Sequence, residues 1–185
     1  VSVGGSTTGE LETATDRDWF AISLQNNISY QFDLEGSPTS QGTLTDTFLR
    51  LHDGSGNLIS SNDDGGTGTN SRITYRANSN GTYYLEAGSY ADYYTGTYKI
   101  SAVQITDDFS GDTSTSGTVS VGGSTTGELE TAADRDWFAI SLQNNISYQF
   151  DLEGSPTSQG TLTDTFLRLR DGSGNLISSN DDGGT

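Results

Sequence analysis

The chain has 185 residues, with 25 acids against 8 bases, a formal charge of −17, no Cys and 30% apolar residues. That acidity argues against nucleic acid and against an anionic membrane surface as partners, since both require a basic face. Without cysteine no disulfide can staple a small fold, and no apolar run is long enough to insert into a membrane as a helix.

The apolar residues that are present recur with period two, which predicts half-buried antiparallel strands rather than disorder. In chain order, Phe20, Ile22 and Leu24 alternate with Trp19, Ala21 and Ser23. Ile28, Tyr30, Phe32 and Leu34 alternate with Ser29, Gln31 and Asp33. Leu49 and Leu51 flank Arg50, and Ile73 and Tyr75 lie between Arg72, Thr74 and Arg76. Tyr83 and Leu85 alternate with Tyr84 and Glu86, and Tyr98, Ile100 and Ala102 with Lys99 and Ser101. Turn residues separate these runs at Gln25–Asn27, Asp53–Asn57, Asn62–Gly68 and Asn78–Gly81. Eight or nine short strands in about a hundred residues predict an all-β fold, an antiparallel β-sandwich.

The sequence then repeats. Residues 1–67 return as 119–185, with Thr15 replaced by Ala133 and His52 by Arg170. The expected organisation is a sandwich over 1–105, an acidic junction over 106–118, and a second repeat over 119–185 that holds the front half only. Two equal front halves thus compete for one back half, residues 68–105. Pairing with 1–67 is expected, through the short connection at Gly66–Thr69, because local connections are the commoner ones. The alternative is a permuted sandwich closed through the junction. Under the first pairing the leftover half would be loose or would find a partner chain, for instance by swapping into an oligomer.

Chemistry is sparse. The one histidine, His52, is Arg170 in the second copy, which excludes a His-based triad, and there is no cysteine nucleophile. Paired carboxylates of the glycosidase kind would be misplaced here, because the acids sit in turns beside Gly and Asn. No catalytic residue is expected. The acids fit a hard cation instead. GELETATDRDWF sets Glu10, Glu12, Asp16 and Asp18 within nine residues, and its copy sets Glu128, Glu130, Asp134 and Asp136. Ca²⁺ takes 6–8 oxygen ligands and would relieve the repulsion; a solvated turn is the alternative. The junction adds Asp107, Asp108 and Asp112, which would join such a site if the fold brought them to the Glu128–Asp136 loop. Asn62–Gly66 reads as a turn, with a second metal site as the alternative. Asp53–Asn57 reads as a hairpin turn, since it lacks the closing Glu of an EF-hand loop. Tyr84, Tyr90, Tyr93 and Tyr94 are candidates for stacking on a sugar or a protein groove, against a reading as rim packing.

Taken together, GELETATDRDWFAISL, SYQFDLEG, TFLRLHDGSGNLISSNDDGG and SRITYRANSNGTYYLEAGSYADYYTGTYKISAV resemble the bacterial pre-peptidase C-terminal domain family, over residues 7–105 fully and 125–185 partly. That resemblance implies a jelly-roll-like sandwich attached to secreted enzymes and exoproteins, with no catalytic activity of its own. The similar collagen-binding domains of clostridial collagenases imply Ca²⁺ held between an acidic linker and the loop before the aromatic strand. On that analogy Asp107 and Asp108 match the linker acids. Glu128 and Asp136, with Glu10 and Asp18 in the first copy, match loop ligands. One position where those relatives carry Asp is Thr15 here and Ala133 in the second copy, and Asp16 or Asp134 would have to substitute. The first copy has no such junction ahead of it in the sequence, so its site is expected to be short of ligands. The expected function is a calcium-stiffened, non-catalytic spacer repeat of a secreted or surface protein. The alternatives are an adhesive module for a polysaccharide or fibrous protein, and a secretion or processing appendage of an exoenzyme.

Overall fold

The computed structural model describes residues 1–132 and 134–183 and divides into two compact units, Val1–Thr106 and Asp107–Thr185. The first unit holds eight strands: β1 (Gly5–Leu11), β2 (Asp18–Leu24), β3 (Ser29–Glu35), β4 (Thr47–His52), β5 (Leu58–Asn62), β6 (Ser71–Arg76), β7 (Gly81–Ser89) and β8 (Gly96–Ile105). They form two four-stranded antiparallel sheets, in the orders β1-β8-β3-β6 and β2-β7-β4-β5. This is the order of an eight-stranded jelly roll, in which two Greek keys lie over one core. The predicted sandwich is the observed fold. Residues 68–105 supply β6, β7 and β8, and all three pair with strands of 1–67.

Alternation decides the core. Ile22, Leu24, Tyr30, Phe32, Leu34, Leu49, Leu51, Ile73, Tyr83, Leu85, Tyr98 and Ile100 are buried between the sheets. Two strands lie outside the alternating runs. β1 (GSTTGEL) is polar except for Leu11, and it is a strand because it pairs with β8 along its length, from Gly5 opposite Ala102 to Leu11 opposite Gly96. β5 keeps Leu58 and Ile59 exposed at a sheet edge. It is set by the Asp53–Asn57 turn, in which Asp53 Oδ1 accepts the backbone N–H of Ser55 (2.8 Å) and of Asn57 (2.9 Å). A bond from the Asn57 side chain, then these backbone bonds, hold the Asp53 carboxyl below the usual carboxylate range.

On the outer face of the second sheet, Trp19 stacks on His52 with ring centroids 4.3 Å apart. His52 Nε2 lies 2.9 Å from Glu86 Oε2. Arg17 Nε and Arg50 Nη1 reach Glu86 Oε1 at 3.0 and 2.8 Å. The only histidine is thus one contact of a buried carboxylate.

The second unit repeats the sequence of β1–β5 but only part of their structure. Among its described residues the strands are β9 (Leu167–Arg170) and β10 (Leu176–Asn180), the copies of the β4–β5 hairpin core. The copies of β1, β2 and β3 have the residues of strands and no ladder. The same side chains therefore meet different surroundings. Leu11, Leu24 and Leu34 are 0%, 2% and 0% exposed, whereas Leu129, Leu142 and Leu152 are 43%, 43% and 44% exposed. The physical reason is the missing complement: β1 and β3 hydrogen-bond to β8, and β2 to β7.

Candidate metal centre

The acidic loop folds alike in both copies, because its hydrogen bonds are local. Asp16 Oδ1 accepts the Arg17 N–H at 2.8 Å, and Asp134 Oδ1 accepts that of Arg135 at 2.7 Å. Asp16 Oδ2 accepts the Glu12 N–H at 3.3 Å, and Asp134 Oδ2 accepts that of Glu130 at 3.0 Å. Each Asp closes its own turn with both carboxylate oxygens.

The copies diverge at the next acid. In the first unit the Tyr98 hydroxyl on β8 donates to Asp18 Oδ2, directly over Gly9, where any side chain would strike the phenol. Desolvation, then that bond to Asp18, raises the Tyr98 phenol well above its ordinary range. Glu10 is exposed on β1. Among the described residues Glu10, Asp16 and Asp18 do not converge as a three-carboxylate group.

In the second unit the junction packs on the loop. Phe109 lies on Phe138 with centroids 4.8 Å apart. Thr115 Oγ1 donates to the Trp137 carbonyl (2.7 Å), and Ala139 N donates to Gly117 O (2.8 Å). Asp108 is tied in reciprocally: its N–H donates to Glu130 Oε1 (3.2 Å), while its Oδ2 accepts the Glu128 N–H (3.1 Å). Asp107, Asp134 and Asp136 thereby converge with carboxylate oxygens within 4.8 Å of one another, as do Asp107, Asp108 and Glu130. Gly127 permits the approach, since a Cβ there would lie 2.5 Å from Asp136 Oδ2.

Five carboxylates gathered in this way repel. Burial, then Asp134 beside it, pushes the Glu130 carboxyl up to about 7. Burial, then the charges of Asp108, Asp134 and Asp107, pushes Asp136 up to about 6. Glu130 Oε2 and Asp136 Oδ1 are shielded from solvent and have no hydrogen-bond partner. An arrangement of hard oxygen donors with shielded, unpartnered lone pairs suits a divalent cation.

Of the residues expected at this site, the fold brings together Asp107, Asp108, Asp134 and Asp136. Glu128 contributes its backbone N–H, and its carboxylate joins no three-acid group among the described residues. Asp112 is spent on its own turn: Oδ1 accepts the Ser114 N–H (2.7 Å) and both the Ser114 and Ser110 hydroxyls. Those bonds, Ser114 first, hold its carboxyl below the usual range. Ala133 lies outside the described residues. Glu130, one of the four loop acids and one that the collagenase analogy passes over, stands with Asp107 and Asp108. Its signal was local, since it stands four residues before Asp134, whose carboxylate takes its N–H.

A second acidic group recurs in both units: Asp46, Asp63 and Asp64, and their copies Asp164, Asp181 and Asp182. Desolvation, then Asp63 and Asp64, raises the Asp46 carboxyl, and desolvation, then Asp64, raises Asp63. The turn beside them is capped by Asn62, whose Oδ1 accepts the N–H of Gly65 (2.7 Å) and of Arg72 (2.9 Å).

Residues 16–89 match the family of the bacterial pre-peptidase C-terminal domain. This match lies within the first unit. The match opens at the Asp16 cap and ends with β7, so it takes in the last residues of the acidic loop, the aromatic strand and the Glu86 cluster. Among solved structures, the pre-peptidase C-terminal domain of collagenase from Bacillus anthracis is 18% identical, over 55% of this chain and 90% of that one, with a TM-score of 0.43. Aeromonas hydrophila PliG, a periplasmic inhibitor of g-type lysozyme, is 13% identical over 53% of this chain and 84% of its own, with a TM-score of 0.38. No curated protein matches the chain.

Proposed function

We propose that the chain is a non-catalytic, calcium-binding repeat module of a secreted or surface protein, in which Ca²⁺ fastens the junction to the acidic loop that follows it. One observation carries this reading. Asp107, Asp108, Glu130, Asp134 and Asp136 converge, with shielded oxygens on Glu130 and Asp136 that no hydrogen bond satisfies. Ca²⁺ would take these oxygens and cancel the repulsion that raises both carboxyls. Phe109 against Phe138 holds the junction in place, so cation binding would order a segment already seated. A module so fastened serves as a stiff spacer. The pre-peptidase match supports the non-catalytic reading and the extracellular location. The environment of His52, which is stacked on Trp19 and bonded to Glu86, supports the non-catalytic reading as well. Calorimetric titration of the chelated chain tests the proposal: millimolar Ca²⁺ should bind and raise the melting temperature, with Mg²⁺ far weaker. An unchanged melt and no heat would refute it.

The exposed aromatics favour a second reading, an adhesive module for a polysaccharide or an extracellular protein. Trp19 is 47% and Tyr93 72% exposed, and Tyr84 lies beside Trp19 with centroids 5.9 Å apart. Aromatic faces in that setting can stack on sugar rings or anchor a protein interface. A glycan-array or matrix-binding signal lost in Trp19→Ala and Tyr93→Ala would support it.

A further inference from the structure

We propose that Asn80 is a site of spontaneous covalent modification, at which the Gly81 nitrogen closes on the Asn80 side chain and converts it to aspartate and isoaspartate. The Gly81 backbone nitrogen bonds to Asn80 Cγ and gives up its proton. The Cγ–Nδ2 bond breaks, and Nδ2 takes the proton and leaves as ammonia. Water then opens the resulting five-membered imide at one of its two carbonyls. One opening gives aspartate, and the other gives isoaspartate, whose backbone runs through the side-chain carbon. Water is the one co-reactant.

The same ring closure is open in principle to five steps of the chain: Asn80–Gly81, Asp53–Gly54, Asp64–Gly65, Asp171–Gly172 and Asp182–Gly183. The fold blocks four of them in two ways. At Asp53 and Asp171 both carboxylate oxygens are engaged. Asp53 takes the N–H groups of Ser55 and Asn57 on Oδ1 and the Asn57 side chain on Oδ2. Asp171 does the same with Ser173 and Asn175. The side-chain bond, then the backbone bonds, hold both acids below the usual carboxylate range, and an ionised carboxylate is a poor electrophile. At Asp64 and Asp182 the attacking nitrogen is taken instead. Gly65 N–H donates to Asn62 Oδ1 at 2.7 Å, and Gly183 N–H to Asn180 Oδ1 at 2.6 Å.

Neither block operates at Asn80–Gly81. The electrophile there is a neutral amide. Among the described residues no side chain caps the Gly81 N–H, and a Cβ on Gly81 would meet nothing within 4 Å, so the approach is open. Both residues are exposed. Asn80 Oδ1 accepts the Asn26 N–H at 2.8 Å. Oδ1 is the atom on which negative charge gathers as nitrogen attacks Cγ, so this bond supports the developing oxyanion and engages the oxygen rather than the leaving nitrogen. Every other asparagine of the chain precedes a residue with a Cβ, which crowds the attack. The product bears on the fold because Gly81 opens β7 opposite Leu24 of β2. Isoaspartate inserts one backbone carbon just before that pair, which loosens the end of the ladder.

The test ages the intact chain at neutral pH and physiological temperature, then resolves its peptides by mass spectrometry and assays ammonia and isoaspartate. Asn80 should convert first, while the four Asp–Gly steps stay aspartate in the folded chain and yield isoaspartate in urea. Hydrogen exchange in 22–24 and 81–84 should quicken as isoaspartate accumulates. Gly81→Ala fits the open space and should slow the conversion roughly tenfold by crowding the nitrogen. Three results would overturn the proposal: Asn80 intact in the folded chain while a peptide of residues 76–85 converts, Asp–Gly steps of the folded chain that isomerise as fast as Asn80 converts, or an unchanged rate in Gly81→Ala.

Discussion

The Tyr98 hydroxyl donates to Asp18, while Asp136, the same position of the repeat, turns into a group with the carboxylates of Asp107 and Asp134. One sequence thus places one aspartate in two electrostatic settings, according to whether β8 is present. Tyr98→Phe removes the donor and leaves a carboxylate facing a ring. A hydrogen bond to a charged group contributes roughly 1.5–3 kcal/mol. Urea unfolding of the first unit should register a loss of about 2 kcal/mol, with the slope unchanged.

Leu34→Ala and Leu152→Ala make the same chemical change at twin positions. The first opens a cavity between the sheets, and such truncations cost about 2–5 kcal/mol. The second trims a half-exposed side chain and should cost under ~0.5 kcal/mol. Paired denaturation curves check this, and equal losses would contradict the asymmetry between the units.

The raised carboxyls fix a pH dependence for the metal-free chain. Glu130 at about 7 and Asp136 at about 6 bind protons more tightly in the folded second unit than the ordinary values of 4.5 and 3.8 imply for the unfolded chain. The folded state therefore holds more protons through that window, and its stability falls as pH rises from the ordinary carboxylate range toward 7. Acidification should protect the second unit against exchange, and Ca²⁺ should abolish the trend. Ca²⁺ uptake near pH 6 should release protons, detectable as a binding heat that varies with the ionisation enthalpy of the buffer.

Asp108→Ala and Asp136→Ala should weaken Ca²⁺ binding at least tenfold. Asp112→Ala should loosen its turn and leave the affinity nearly unchanged, because its oxygen already serves Ser110 and Ser114. Asp171→Ala, in the β9–β10 turn, is the control. Four indistinguishable titrations would mean that the ligand set is wrong.

Strands with an apolar face were legible because their period of two is intrinsic: Tyr30, Phe32 and Leu34 announce β3 without help. β1 was not, because Ser6, Thr7, Thr8 and Gly9 become a strand only through β8, nearly ninety residues on. Lone pairs follow the same divide. Asp112 is followed two residues later by Ser114, a local turn signal that outranks its charge. Glu130 differs from Glu128 only in which backbone N–H Asp134 takes and in where Asp108 arrives. The junction acids were visible as charge. Their meeting with the loop depends on Phe109 finding Phe138, a contact that no spacing rule expresses.

The exposed leucines of the second unit also bear on colloidal behaviour. A chain with formal charge −17 keeps such faces apart by mutual repulsion. The range of that repulsion is about 8 Å at physiological ionic strength and about 3 Å at 1 M salt. Ionic strength therefore acts as a valve on self-association. Divalent cations act twice: they would quiet the acidic loop from within, and they would thin the electrostatic cushion that holds neighbouring molecules off.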